Sequence, residues 1–121
     1  MSNSYITNAT TVSDTSFHGP WHYRTWSNRM AECWRSYGLQ IAAKTLNMNT
    51  YIQFPFTFEY VPVRIVGLNA GGYQEYKAWC IPDHIAAYPN NEYIRIGFYN
   101  GYTSAVTLYA HIYCFGYLLQ S

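Results

Sequence analysis

Hydrophobic and polar residues alternate with a period of two along much of the chain, which predicts β-strands rather than helices. Segments 62–68, 73–81 and 93–99 alternate in this way. The long segment 103–119 is apolar on both of its faces, which is typical of a strand covered on both sides, in the middle of a sandwich or at a subunit contact. Seven or eight such strands with turns between them predict an all-β fold, an antiparallel β-sandwich of the jelly-roll-like kind.

Turn signals suggest how these strands connect. Asn100-Gly101 is the strongest hairpin signal in the chain, and it predicts that the strands on either side pair with each other. Residues 39–49 fit both a helical stripe and a strand, and we favour a strand to about Ala43 followed by a loop. Pro55 cannot donate to a β-ladder, so segment 51–58 is expected at an edge or with a bend.

The N-terminal residues differ from the rest of the chain. Residues 1–18 are rich in Ser, Thr and Asn and hold only isolated apolar residues, which predicts an extended arm or linker. We expect residues 19–121 to form a single β-sandwich domain. The N-terminal segment has no basic start and no apolar stretch, so no secretory signal is predicted.

A second hairpin is predicted where two aromatic-rich runs, 20–26 and 30–37, flank a short polar break. A three-residue loop would place Arg24 opposite Glu32, and a two-residue loop would place Tyr23 opposite Trp34. The one-residue slip between them moves side chains to the other face of the sheet, and the spacing alone leaves both registers open. We expect the hairpin tryptophans to pack across the strands, and these are Trp21, Trp26 and Trp34.

Composition excludes several classes of protein. Of the 121 residues, 11% are charged and 20% are aromatic, and the net charge is +1. Seven basic residues spread along the chain do not form a nucleic-acid-binding face. No apolar run reaches the roughly 18 residues of a membrane span. So few charges on a small domain predict that other copies of the chain cover part of its aromatic surface.

Chemistry at a reaction centre has little support in the sequence. Cys33, Cys80 and Cys114 lie in apolar runs, so we expect buried, reduced thiols and a reducing compartment. No nucleophile, metal or phosphate-binding motif occurs, and we predict neither catalytic residues, nor a metal, nor a cofactor. A small glycan hydrolase, the minor alternative, would need two carboxylates about 5–10 Å apart.

Aromatic and amide side chains in or beside the predicted loops suggest a ligand surface instead. Flat rings hold sugars through their C–H faces, and loops on a rigid scaffold often carry binding residues. The alternative is that these rings fill the core or a subunit contact. The candidates are Tyr73, Tyr76, Trp79, Tyr88, Asn90, Asn91, Tyr99, Asn100 and Tyr102.

Residues 21–34 read W-H-Y-R-T-W-S-N-R-M-A-E-C-W. They resemble a W-x-Y-R-K-W-x-(S/N)-G-x-A-E-C-W signature found near the C-terminus of many bacteriophage tail-fibre, baseplate and other minor virion proteins. Thr25 and Arg29 depart from it, standing where Lys and Gly are usual. Residues 54–63 are similar to the family's Y-P-F-x-F…P-x-V stretch, and residues 112–117 loosely resemble its A-I-G-R-W ending. The resemblance covers about residues 20–118.

The resemblance implies a trimeric, non-enzymatic β-domain at the tip of a phage fibre or similar appendage. Its expected partners are two further copies of itself, an upstream fibre or stalk protein and a host-surface receptor such as a glycan, with no nucleic acid and no membrane insertion. It would be synthesised in the bacterial cytoplasm and reside in the virion. A purely structural domain that trimerises and caps a fibre is the alternative. The shared residues are structural in this interpretation: Trp21, Tyr23, Arg24, Trp26, Glu32, Cys33 and Trp34. An Arg24–Glu32 pair would account for their spacing, which favours the three-residue loop.

Overall fold

The computed structural model describes residues 12–18, 20–70, 77–83 and 91–120. All the named elements in these ranges are strands. They are β1 (Val12–His18), β2 (Trp21–Trp26), β3 (Met30–Ile41), β4 (Thr45–Gln53), β5 (Val63–Asn69), β6 (Ala78–Asp83), β7 (Tyr93–Asn100) and β8 (Val106–Tyr117).

The strands form two antiparallel sheets, neither of which closes into a barrel. The large sheet has the order β1-β2-β3-β8-β5, and the small sheet has the order β4-β7-β6. Side chains from both sheets form one core, in which Ile94, Phe98 and Leu108 are fully buried. Each such side chain contributes roughly 1.5–3 kcal/mol through its removal from water. The all-β class and the antiparallel pairing are thus confirmed, in a sandwich-like arrangement of two sheets.

The β2–β3 hairpin has the three-residue loop 27–29, and Arg24 lies opposite Glu32 in the ladder. Arg24 Nη1 is 3.2 Å from a carboxylate oxygen of Glu32, so the favoured register is confirmed. Arg29 adopts a left-handed φ of 71°. Its guanidinium donates a hydrogen bond to the carbonyl of Leu118 and lies 3.6 Å from the Glu59 carboxylate, so its side chain offsets part of the backbone strain.

The large sheet begins before residue 19, the expected domain boundary. Residues of the predicted arm form β1, which pairs antiparallel with β2 at the edge of the sheet. Edge pairing uses backbone groups, and the sequence V-S-D-T-S-F-H has no apolar alternation that would reveal it. Residues 1–11 lie outside the described residues.

Residues 45–49 were predicted to be a loop, but they form the first part of strand β4, so that prediction is wrong. β3 ends at Ile41, and Lys44, with φ at 52°, reverses the chain before β4 begins at Thr45. β4 is an edge strand in which Thr50 and Ile52 alone are buried, so its apolar pattern is weak. It ends two residues before Pro55, as that proline's missing N–H leads one to expect.

The predicted hairpin at Asn100-Gly101 is also wrong. β7 belongs to the small sheet and β8 to the large one, so residues 101–105 cross between the sheets. The Asn100 side chain is fully buried, and its amide nitrogen lies 3.0 Å from the carbonyl oxygen of Ile41 at the end of β3. This contact fixes the end of β7 to the other sheet, which a local turn signal does not reveal.

Within one chain, only one face of β8 is covered. The inner face, with Leu108, Ala110 and Cys114, is fully buried. The outer face exposes Tyr109 and Phe115, among other rings, to solvent. The large sheet therefore presents an aromatic outer surface.

The three cysteines are buried and free. Cys33 and Cys114 face each other across β3 and β8, and Cys80 lies in β6. The hydrogen bond between Cys33 and Cys114, together with burial, raises the pKa of the Cys33 thiol well above its ordinary value.

Candidate functional site

A groove of about 970 Å³ lies on the outer face of the large sheet. Its position follows from the strand period, because every second residue of β2, β3, β8 and β5 points outward. The ladders align His22 with Trp34, Trp34 with Tyr113, and Tyr113 with Ile65, so one row crosses four strands. We call this site the outer groove. Its lining includes His22, Arg24, Glu32, Trp34, Ser36, Ile65, Gly67, His111 and Tyr113.

Aromatic rings form one wall of the outer groove. The rings of His22 and Trp34 stack with centroids 5.9 Å apart and planes inclined by 13°. The guanidinium of Arg24 lies between two indoles, 5.7 Å from the centroid of Trp26 and 5.8 Å from that of Trp34. These contacts hold Arg24 and Trp34 in fixed orientations, so little side-chain entropy remains to be lost when a ligand binds.

Glu32 is the polar centre of the outer groove. One carboxylate oxygen pairs with Arg24 at 3.2 Å, and the other accepts a hydrogen bond from the hydroxyl of Tyr113. Burial, followed by the hydrogen bond to Glu32, raises the pKa of Tyr113 to about 12. The phenol therefore keeps its proton at neutral pH, and Glu32 keeps two donors that fix its position.

The end of the outer groove towards β5 is polar and open. Ser36 Oγ and His111 Nδ1 are hydrogen-bonded at 2.8 Å across β3 and β8. Gly67 lies opposite His111, and a Cβ added at Gly67 would meet no atom within 4 Å. The side chain of Ile65 next to it is 57% exposed. A ligand entering here meets an apolar edge and a pair of hydrogen-bonding groups.

This combination suits a hydroxylated ligand with apolar C–H faces. Rings can pack against C–H groups while Arg24, Glu32, Ser36 and His111 exchange hydrogen bonds with hydroxyls. Among the described residues that line the outer groove, Glu32 is the one carboxylate. The described part of the chain also holds no group of three or more His, Cys, Asp or Glu placed to bind a metal ion.

The predicted ligand residues do not form one surface in the described ranges. Tyr73, Tyr76, Tyr88 and Asn90 lie outside the described residues. Trp79 and Tyr99 stack on the outer face of the small sheet, with centroids 5.7 Å apart. Trp79 is 39% exposed, and Leu46 continues the row on β4. We call Leu46, Trp79, Ile81 and Tyr99 the small-sheet patch.

The three remaining candidates hold the backbone together. The Asn91 amide donates to the carbonyl of Phe58 at 3.0 Å. Asn100 is fully buried, so it does not belong to any surface. Tyr102 is partly buried against the core, its N–H donates to Asn100 Oδ1 at 2.8 Å, and the Lys77 ammonium lies over its ring.

The hairpin residues divide between the two faces of the large sheet. Trp21 and Cys33 are buried in the core, and Tyr23 packs against it. Arg24, Glu32 and Trp34 instead line the outer groove, where sequence reasoning had assigned them to structure alone. Strand alternation identifies this division once the register is known, because Arg24 and Glu32 are opposite each other and therefore lie on the same face as Trp34.

Comparison with known proteins adds no family to this picture. No family model matches the chain, and neither a curated protein nor a solved structure matches it. Among the described residues no helix has the length and apolarity needed to cross a membrane. Functional inference therefore depends on the outer groove and on the resemblance carried by residues 21–34.

Proposed function

We propose that the chain is a non-enzymatic attachment domain at the tip of a phage fibre or similar appendage, and that it binds a host-surface glycan in the outer groove. The observation that carries the proposal is the Trp34 ring held beside the Arg24–Glu32 pair, 3.2 Å apart, on an open sheet face. An indole face accepts sugar C–H groups, while a carboxylate and a guanidinium satisfy hydroxyls.

Binding rather than hydrolysis is favoured by the surroundings of Glu32. Both of its carboxylate oxygens are already held, one by Arg24 at 3.2 Å and the other by the Tyr113 hydroxyl. A glycosidase needs a second carboxylate across the substrate, and Glu32 is the one carboxylate among the described residues that line the outer groove.

The proposal includes a homotrimer with a jelly-roll-like fold. From β3 onward the chain crosses between the sheets at every connection except β6–β7, and this connectivity supports the jelly-roll-like interpretation. Exposed apolar side chains on both outer faces, such as Leu46 at 53% and Val63 at 49%, support contacts between copies. Three grooves on one axis would bind a multivalent surface by avidity.

The test compares groove and patch variants on an array of bacterial surface polysaccharides. Trp34→Ala removes the ring of the groove, and Trp79→Ala is the matched control on the small sheet. Gly67→Phe is a second groove variant, because its side chain projects into space where no atom lies within 4 Å. Light scattering gives the mass of each variant, and circular dichroism verifies its fold.

We expect the wild type and Trp79→Ala to bind, and both groove variants to lose roughly tenfold or more in affinity. Binding that survives in folded Trp34→Ala and Gly67→Phe would reject the groove. A folded trimer that binds no polysaccharide or intact host cell would favour the purely structural, fibre-capping role. A particle of 14.1 kDa, the mass of one chain, would reject the trimer.

A further inference from the structure

A second cavity, of about 620 Å³, opens between the sheets where β2 and β3 face β4. Trp21, Arg35 and Tyr37 line it from the large sheet, and Gln53 and Glu92 line it from the opposite side. We call it the inter-sheet cleft. Its volume lies within the range of about 300–1,000 Å³ that is usual for small-molecule sites.

Arg35 is the unusual residue of the inter-sheet cleft. It lies on the inner face of β3, opposite Ile112 and between the inward positions of Cys33 and Tyr37. The Arg35 side chain is partly buried there, and removing a charge from water is costly. Burial lowers the pKa of the Arg35 guanidinium, which means that this environment disfavours the cation.

Two rings hold the Arg35 guanidinium in place. Its Cζ lies 5.6 Å from the ring centroid of Trp21 and 5.3 Å from that of Tyr37. The Trp21 indole N–H donates to the carbonyl of Gln53 at 2.8 Å, which ties the two walls of the cleft together. The cation is thus positioned before any ligand arrives.

No carboxylate among the described residues neutralises Arg35. Arg24 and Arg29 pair with Glu32 and Glu59, whereas Arg35 uses only its Nε, which donates to the Ser36 carbonyl at 3.3 Å. Its two terminal amino groups form the fork that binds a carboxylate in bidentate fashion. Glu92 lines the same cleft without an ion pair to Arg35.

We propose that the inter-sheet cleft binds a carboxylate-bearing sugar, with the carboxylate on Arg35 and the hydroxyls towards Glu92 and the backbone carbonyls. A compact inorganic anion would satisfy Arg35 but would be repelled by Glu92. A hydroxyl-rich acid satisfies both walls, since Glu92 accepts hydrogen bonds from hydroxyls. Pro20 and Arg35 line both the cleft and the outer groove, but the cleft contains none of the groove row of His22, Trp34 and Tyr113, so Trp34→Ala distinguishes the two sites.

The experiment is an NMR titration of the full chain with D-glucuronate, monitored at the Trp21 indole N–H and the Arg35 Nε–H. D-glucose is the neutral probe of the same ring, and inorganic sulfate is the compact anion. Arg35→Gln removes the positive charge and the pair of terminal amino groups, and Arg35→Lys keeps the charge without that pair. Lys44→Gln is the control, because it also removes one positive charge and does not line the cleft.

We expect glucuronate to shift both resonances, with glucose and sulfate at least tenfold weaker, a difference of about 1.4 kcal/mol or more. Arg35→Lys should weaken glucuronate binding about tenfold, Arg35→Gln should abolish it, and Lys44→Gln should leave it unchanged. Equal affinity for glucose, equal affinity for sulfate, or unchanged binding by folded Arg35→Gln would each overturn the inference. If the Arg35 variants lose glucuronate binding and Trp34→Ala keeps it, glucuronate binds in the inter-sheet cleft and not in the outer groove.

Discussion

The turns at residues 27–29 and 100–105 begin with the same local chemistry and lead the chain to different places. In each, an Asn side-chain oxygen accepts the N–H two residues on, at 3.1 Å from Asn28 to Met30 and at 2.8 Å from Asn100 to Tyr102. The first turn closes a hairpin within the large sheet, and the second carries the chain from the small sheet to the large one.

The amide nitrogen of the Asn100 side chain accounts for the difference between the two turns. Asn100 Nδ2 lies 3.0, 3.2 and 2.9 Å from the carbonyl oxygens of Ile41, Ala42 and Ser104, and the whole side chain is buried. Asn28 is only partly buried and closes its local turn. A turn motif therefore fixes the local path of the backbone, whereas long-range contacts of the same side chain decide which sheet the next strand joins.

The largest expected effect comes from removing the buried amide. Asn100→Ala leaves three carbonyls and one N–H without their partner, so we expect a loss of about 3 kcal/mol or more in the free energy of unfolding. Asn28→Ala, the matched control in the other turn, should cost about 1 kcal/mol. Urea denaturation of both variants measures the difference. Equal losses would show that the long-range contacts of Asn100 add nothing to those of its local turn.

A smaller effect is expected at Gly101. An added Cβ would lie well inside 3.0 Å of the Lys77 carbonyl oxygen, and backbone atoms there must shift. We expect Gly101→Ala to lower the free energy of unfolding by about 1–3 kcal/mol. Gly67→Ala is the control, because a Cβ there meets nothing within 4 Å. If thermal and urea unfolding show Gly101→Ala to be as stable as that control, the close approach of Gly101 to the Lys77 carbonyl is not rigid.

The smallest effect is expected at Arg29, which has a left-handed backbone conformation in the hairpin loop. Arg29→Gly and Arg29→Ala lose the same contacts to Leu118 and Glu59, but only glycine adopts a φ of 71° without strain. We therefore expect the glycine variant to be more stable than the alanine variant by about 1 kcal/mol. Urea midpoints of the two variants give this difference. An alanine variant at least as stable would show that the loop relaxes out of the left-handed conformation.

Sequence periodicity predicted those strands whose inner faces are buried. β7 was recognised because Ile94 and Ile96 face the core, and β5 because Val66 and Leu68 pack against it at alternate positions. β1 and the first part of β4 were missed because their sequences carry little apolar alternation, although their backbones pair in the sheets. The crossing at Asn100 was missed because its partners at Ile41 and Ala42 are nearly 60 positions earlier in the chain.

The candidate site also depends on contacts between distant parts of the chain, which local sequence patterns do not predict. Arg24, Glu32 and Trp34 were grouped by the resemblance of residues 21–34, but their exposure on the outer face became visible only with the register of β3 against β8. Tyr113 and His111 join them from a strand about 80 positions away. Likewise, Arg35 had no motif in the sequence, since its significance depends on the two rings that flank it and on the absence of an anionic partner in the described ranges.

The distribution of the three thiols makes the protein its own reporter of sheet opening. Cys33 and Cys114 face the core from the central strands of the large sheet, so they react with an alkylating reagent only after the core opens at its centre. Cys80 donates to the Gly67 carbonyl at 3.6 Å, so it reports separation of β6 from β5 at the edge of the two sheets. Peptide mass mapping of alkylated protein at increasing times would therefore give one rate for the centre of the core and another for this edge. Equal rates would mean that centre and edge open as a single cooperative unit, without any label having been engineered into the chain.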